Sequence, residues 1–108
     1  MRTVVLYERL DEVQREMHER IDRVLSDGAV QTQSDAQERA PVDTGRLRAS
    51  IQVVRIGNHL WEVFTVVEYA GYQEYGTVHM SAHPFMRPAY ERNYREITAS
   101  LHEAFATI

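Results

Sequence analysis

The chain has 108 residues, 44% of them apolar, and a formal net charge of −4. This length and composition predict a single domain, residues 1–108, with one modest core. The negative charge argues against binding nucleic acid by overall attraction, and the absence of cysteine excludes disulfides, iron–sulfur clusters and thiolate zinc sites. No apolar run is long enough to span a membrane, and the first residues become charged too early for a secretion signal, so we expect synthesis in the cytoplasm without membrane attachment.

The first part of the chain predicts a long amphipathic helix. Its apolar residues recur every three or four positions and form one stripe: Leu6, Leu10, Val13, Met17, Ile21, Val24 and Leu25. This periodicity fades at Gly28, so the helix either ends there or bends and resumes through Ala36. We expect it to continue to about Ala40, because Pro41 is the residue that must stop it.

The segment after Pro41 predicts an antiparallel β-hairpin. Apolar and polar residues alternate from Leu47 to Val53, the letters IGNH offer a turn, and LWEVFTVVE follows as the second strand. Both faces of this second strand are apolar near its middle. We therefore expect one face to pack on the long helix and the other to need a second helix or a neighbouring subunit.

A long aromatic loop, EYAGYQEYGTVHMSAHPFMRPAYE, connects this hairpin to a second helix. Tyr69 lies closest to the strand and is expected to be internal. Helical spacing of apolar residues returns after Pro88, which is predicted as the first helical residue because a proline there loses no hydrogen bond. The predicted fold class is therefore α+β: a long N-terminal helix, an antiparallel β-hairpin sheet, an aromatic loop and a C-terminal helix.

Several residues are predicted to turn the chain between these elements. They are Asp43, Thr44, Gly45, Gly76, Pro84 and Pro88. In the letters VDTG, an aspartate or threonine side chain is expected to hydrogen-bond local backbone amides. Gly45 and Gly76 are expected to take a positive φ, which glycine adopts without steric cost.

Asp-Thr-Gly is also the signature of aspartic proteases, in which two aspartates share a proton and activate water. A small retroviral-type protease is therefore one alternative function. Against it, Arg46 follows the glycine where a small residue is usual, and the only candidate for the partner motif, RIGN, comes too soon. That architecture also has no place for a long leading helix. A three-residue motif often matches by chance, so we expect no catalytic residue.

A metal site is a further chemical alternative. His79 and His83 stand four residues apart, as zinc ligands on a helix do, with Glu74 nearby as a third candidate. Pro84 disfavours helical geometry at the residue before it, so the two rings are not expected to converge. We expect no metal ion and no cofactor.

Three blocks of sequence together carry a family resemblance. APVDTGRLRASI, EYAGYQEYGT and MSAHPFMRPAYE follow one another between residues 40 and 91. With these blocks, and with a helix on either side, the chain resembles the lambdoid gene-product-ten-like family of phage head–tail connector or tail-completion proteins. His83 departs from the family pattern, in which arginine is more usual before Pro-Phe.

The resemblance implies a structural virion protein of the neck, assembled in the host cytoplasm, rather than an enzyme. Copies would form a homo-oligomeric ring that joins the tail to the DNA-filled head and contacts head-closure, tail-terminator or tail-tube proteins. No membrane and no sequence-specific nucleic acid is implied as a partner. Such a ring needs two different contact surfaces on each subunit. The residues expected at protein interfaces are Tyr72, Tyr75, His83, Phe85 and Arg87.

Two other classes of protein stay open on the sequence. A cytoplasmic nucleic-acid-binding regulator would need its arginines gathered on one face, whereas here they are interleaved with acids along both predicted helices. A coiled-coil interaction protein could use the first helix, yet its short apolar stripe is better explained by packing on the sheet.

Overall fold

A computed structural model describes residues 2–41 and 45–106, with side chains described from residue 11 onward. Its elements in chain order are α1 (Arg2–Arg39), α2 (Arg46–Ser50), β1 (Gln52–Gly57), β2 (Leu60–Phe64), α3 (Ala70–Tyr75) and α4 (Met86–Ala106). The predicted α+β class, with a long first helix, an antiparallel hairpin and a C-terminal helix, is confirmed.

Helix α1 runs without a break through Gly28 and ends at Arg39, which agrees with the predicted continuation to about Ala40. The glycine is explained by helix packing, because a Cβ atom at this position would overlap Cγ1 of Ile97 on α4. One turn later, the Thr32 hydroxyl donates a 2.7 Å hydrogen bond to the Gly28 carbonyl and so remains satisfied although buried. Gly28 therefore allows close approach of the two long helices rather than ending the first one.

Helices α1 and α4 lie side by side in opposite directions. Asn93 of α4 is buried against Asp35 of α1, and its Nδ2 donates to the Asp35 carboxylate at 2.6 Å and to the Ala89 carbonyl at 2.8 Å. Moving along α4 from Asn93 to Ile97 moves the contact on α1 back from Asp35 to Gly28, which fixes the antiparallel register.

The hairpin also packs on α1, so this helix supports both the hairpin and α4. Strands β1 and β2 pair antiparallel with Val53 opposite Val63 and Arg55 opposite Trp61. The Trp61 indole donates to Asp22 at 3.3 Å, and the Gln33 amide donates to the Ile51 carbonyl at 2.8 Å. The first bond joins the hairpin to α1, and the second joins α1 to the residue just before β1.

The predicted start of the first strand is wrong, because the structure places the short helix α2 there. Leu47 and Ile51 are both buried, and a spacing of four fits one helical turn as well as it fits strand alternation. The Ser50 hydroxyl donates to the Leu47 carbonyl at 2.6 Å, and extended pairing begins only at Gln52.

The predicted aromatic loop is partly helical. It contains α3, and α4 begins at Met86, two residues before the predicted first position at Pro88. Pro88 is thus the third helical residue. Its missing N–H still costs no hydrogen bond, because the first four amides of a helix have no partner within the helix.

The core lies at one end of the molecule, where α2, α3 and the start of α4 meet the end of α1. Its buried apolar residues are Ala36, Ala40, Leu47, Ile51, Val67, Phe85 and Ala89. Tyr69, predicted to be internal, is half-buried against this cluster. The molecule is elongated, measuring 72 × 22 × 21 Å with a radius of gyration of 18.9 Å. A compact chain of this length has a radius of gyration of about 13 Å.

Candidate protein-interaction surface

The segment from α3 to α4 is folded tightly around Gly76. This glycine has φ 75° and ψ 178°, and a Cβ atom there would lie 2.8 Å from the Ala82 amide nitrogen and 2.9 Å from the Met80 carbonyl oxygen. Only glycine fits that backbone. Gly45, the other predicted turn glycine, also has a positive φ, 70°, but no atom lies within 4 Å of its Cβ position. Asp43 and Thr44, the remaining predicted turn residues near Gly45, lie outside the described part of the chain.

Glu74 of α3 caps the beginning of α4. Its carboxylate accepts hydrogen bonds from the backbone amides of Phe85 at 3.3 Å, Met86 at 2.8 Å and Arg87 at 3.3 Å. These amides have no partner inside the helix, and the positive end of the helix dipole favours a carboxylate there. Glu74 therefore fixes α3 against α4. From the sequence, Glu74 was only a candidate metal ligand. The amides that it caps lie eleven to thirteen residues further along the chain, and no local sequence pattern predicts a cap over that separation.

The chain between Gly76 and Phe85 is closed by further backbone bonds. The His83 amide donates to the Gln73 carbonyl at 2.6 Å. Thr77 and Met80 exchange two hydrogen bonds, of 2.8 and 3.3 Å, and the His79 amide donates to the Thr77 hydroxyl at 3.1 Å. These bonds make the turn at its tip a defined structure.

This construction holds an exposed apolar patch in place. Tyr72 and Tyr75 stand three residues apart on α3 and are 59% and 81% exposed, and Val78 at the turn is 96% exposed. We call these three residues the aromatic patch. Of the other predicted interface residues, His83 and Arg87 are also exposed. The Arg87 guanidinium forms an ion pair with Glu91 at 3.0 Å on the surface of α4. The sequence did not predict Val78 as an interface residue, because its exposure results from the folded turn and not from a local sequence pattern.

Phe85 requires a correction to the predicted interface. Its side chain is only 1% exposed and is among the largest fully buried groups of the core. The ring cannot reach a neighbouring chain while the subunit is folded, so its role is to hold the end of α1 and the start of α4 together. Pro84, just before it, is exposed and directs the chain into the core.

A second apolar surface lies between the hairpin and α4. Both rest on α1, and between them runs an open groove of about 650 Å³, which we call the valley. Its walls are Leu60 and Val63 from β2 and a stripe along α4 from Met86 through Tyr90 and Tyr94 to Leu101. Leu60, Tyr90 and Tyr94 are each more than half exposed.

The opposite face of the hairpin is also uncovered. Val54 is 41% exposed and Ile56 is 53% exposed. The sequence predicted a sheet apolar on both faces that needs a second cover, and within the described chain that cover is incomplete.

The remaining chemical alternatives gain no support from the geometry. Among residues 11–41 and 45–106, no three histidine, aspartate or glutamate side chains are placed to hold a metal ion. Helix α1 is the predicted long leading helix. The architecture of the aspartic-protease alternative does not accommodate such a helix. No helix in the described ranges is long and apolar enough to cross a membrane.

Exposed apolar surfaces on an elongated chain are typical of one class, proteins that work by contact with other protein chains. The particular family follows from comparison with known proteins. A family model described as "Bacteriophage HK97-gp10, putative tail-component" matches residues 5–76, two thirds of the chain. The chain therefore belongs to the HK97 gp10-like family, which confirms the predicted resemblance. Membership supports a structural phage protein located in the virion. No curated protein and no solved structure gives a significant match.

Proposed function

We propose that this chain is a structural subunit of the phage neck, where a ring of copies joins the tail to the DNA-filled head. The observation that carries the proposal is the aromatic patch, an exposed group of large apolar side chains, of which Tyr72 and Tyr75 lie within one of the family's sequence blocks. Tyrosine is among the side chains that concentrate binding energy at the centre of protein interfaces. Tyr75 is 81% exposed on a backbone fixed by hydrogen bonds, which leaves its ring accessible to another chain.

The patch is assigned to a contact with another chain of the neck. Two neighbouring groups fit the edge of such a contact, because polar and charged residues surround the apolar centre of an interface. Arg87 lies one helical turn from its partner Glu91 and is exposed to solvent. His83 is held at the base of the turn by its bond to Gln73.

The proposed role requires no catalysis. The sequence predicts that Asp43 only serves in a turn, so Asp43→Asn is expected to leave assembly intact. A peptidase activity of the purified protein that disappears in Asp43→Asn would contradict a purely structural role.

The test is the joining of heads to tails in extracts that lack the native protein. Tyr72→Ala and Tyr75→Ala are expected to fold with normal helix content but to lose joining activity, with about 2 kcal/mol or more lost per anchor. Val30→Ala is the matched control, since Val30 is also exposed, at 53%, but lies on α1 outside the patch. Circular dichroism checks folding, and electron microscopy counts joined particles.

Arg87→Ala tests how much charge contributes to joining, separately from the apolar contacts of the patch. Its effect on joining is expected to shrink as salt is added, because an exposed ion pair is screened within about 10 Å at 0.1 M salt. Variants of the patch that fold and still give infectious particles would show that the surface is wrongly assigned. Tails that join heads normally without the protein would overturn the neck role itself.

A further inference from the structure

Two histidines join the tip of the β-hairpin to α1. Nδ1 of His18 on α1 lies 3.1 Å from Nε2 of His59 in the turn between β1 and β2, and the two ring centroids are 4.8 Å apart. We infer that this pair is a pH-sensitive clasp, which holds the hairpin tip on α1 near neutral pH and releases it when both rings are protonated. We call the pair the histidine clasp. It is a property of the single chain and does not depend on the proposed neck role.

His59 occupies a backbone position that suits glycine. Its φ is 58°, and no other non-glycine residue in the described part of the chain has a positive φ. This left-handed region costs a residue with a Cβ atom more than it costs glycine, although histidine enters it more readily than most residues do. A glycine would therefore form the turn at a lower backbone cost, so the imidazole ring is what histidine adds here. The turn brings that ring to His18.

The bond between the two rings depends on their charge. A neutral imidazole has one N–H donor and one acceptor nitrogen, whereas a protonated imidazole has two donors and no acceptor. The clasp can therefore form when both rings are neutral or when one of them is protonated. When both are protonated, no acceptor remains and two positive charges repel each other. Acidification through the range in which histidine changes charge, about pH 8 to about pH 5, therefore opens the clasp.

Charged groups beside the clasp tune this response. In the groove of about 270 Å³ that contains both rings, α1 contributes Glu19 and Asp22, and the hairpin contributes Arg55 and the uncharged Asn58. The Asp22 carboxylate is already engaged, since it accepts from the Trp61 indole at 3.3 Å and pairs with Arg55 at 3.4 Å. The acids favour protonated rings and Arg55 opposes them. They shift the pH of opening but not its direction, because two protonated rings lack an acceptor in any case.

The clasp acts on one end of the hairpin only. The other hydrogen bonds described above between α1 and this region contain no histidine: Asp22 anchors the middle of the hairpin, and Gln33 bonds to the Ile51 carbonyl just before β1. Opening the clasp therefore frees the tip while the base stays attached. His59 and Leu60, at the tip, also line the valley. Protonation of the clasp thus changes the position of one wall of an exposed apolar groove.

Distances between two spin labels, measured by pulsed electron paramagnetic resonance, test the clasp, because the chain has no cysteine of its own. One label is attached at Ile56→Cys near the hairpin tip and the other at Val30→Cys on α1, both at exposed positions. The distance distribution is expected to be narrow at about pH 8 and to become longer and broader at about pH 5. The control pair, Val30→Cys with Ala99→Cys on α4, is expected to be the same at both pH values.

Histidine variants assign the response to the clasp. His18→Ala is expected to give the broad distribution at both pH values. His59→Gly is expected to do the same, and glycine suits the positive φ of this turn, so the fold is kept. His102→Ala removes an exposed histidine of α4 outside the clasp and is expected to keep the full response to pH.

Several results would overturn the inference. They are equal distributions at both pH values in the labelled chain with both histidines, a narrow distribution in His18→Ala and His59→Gly, and a response to pH that persists in these variants. Circular dichroism is recorded on the same samples. A fall in helix content at the acidic pH, or a shift in the control pair, would also overturn it, because acid would then unfold the chain or move its helices rather than release the hairpin tip.

Discussion

The core around Phe85 and the neighbouring valley use apolar residues in opposite ways. In the core, small residues such as Ala36 and Ala89 let three helices close around one large ring, which is 1% exposed. In the valley, large residues such as Leu60 and Tyr94 lie on elements that contact α1 but leave a groove between them. The comparison teaches that the core stabilises the folded chain, while the valley leaves apolar surface open.

The largest expected effect is at the core. Phe85→Ala is expected to lower the free energy of unfolding by about 3–5 kcal/mol, because it removes buried apolar surface and leaves a cavity. Tyr75→Ala removes a ring of similar size that is 81% exposed and is expected to change stability by less than about 0.5 kcal/mol. Urea denaturation measures both variants. Equal losses would remove the distinction between a core ring and a surface ring.

The two turn glycines sharpen the comparison. Gly76→Ala is expected to cost about 3 kcal/mol, because a strained φ is combined with close contact to the backbone of Met80 and Ala82. Gly45→Ala meets no neighbouring atom and is expected to cost about 1 kcal/mol from its φ alone. Thermal unfolding of the two variants gives the difference. Similar melting temperatures would show that the loop around Gly76 can relax.

Removal of the helix cap is expected to have a smaller effect. Glu74→Ala leaves three backbone amides of α4 without their acceptor and should cost about 1–2 kcal/mol. Glu74→Gln keeps an acceptor oxygen but loses the charge that favours the helix dipole, so it should cost less. Chemical denaturation ranks the variants. An alanine variant as stable as the native chain would mean that water replaces the carboxylate at no cost.

Gly28→Ala gives the smallest expected change, because two effects oppose each other. Its Cβ would overlap Ile97, and overpacking typically costs about 1–3 kcal/mol. Alanine also gains about 1 kcal/mol over glycine within a helix, so a net loss of about 1 kcal/mol is expected. Ile97→Ala removes both overlapping atoms, Cγ1 and Cδ1, and a double-mutant cycle measures the coupling between the two positions. Additive effects would show that the alanine at position 28 does not overlap Ile97.

Periodicity in the sequence was enough to predict the long elements. The apolar stripe of α1 and the spacing in α4 each extend over several turns, so tertiary contacts do not change their type. Short elements were not predictable in this way. Leu47 and Ile51 satisfy both a strand and a single helical turn, and only the packing of both side chains into the core selects helix α2.

The candidate surface was predicted in part. Tyr72 and Tyr75 were singled out correctly as exposed aromatics, although their role at an interface stays a prediction. Phe85 was misassigned because an apolar residue before a helix looks the same in sequence whether it points inward or outward. Glu74 was missed because its bonds to α4 depend on how two helices meet, which no local pattern encodes.

The cap at Glu74 and the backbone bond from His83 to Gln73 have a consequence for binding rates and affinities. A flexible loop must lose conformational entropy when it docks, and each ordered side chain of this kind costs about 0.5–1.5 kcal/mol of binding free energy. Here the backbone of the loop is ordered before docking, so the entropy of ordering that backbone is lost in folding, whereas the exposed tyrosine side chains lose theirs at the contact. Weakening the cap would be felt as a faster dissociation from a partner even where the chain still folds.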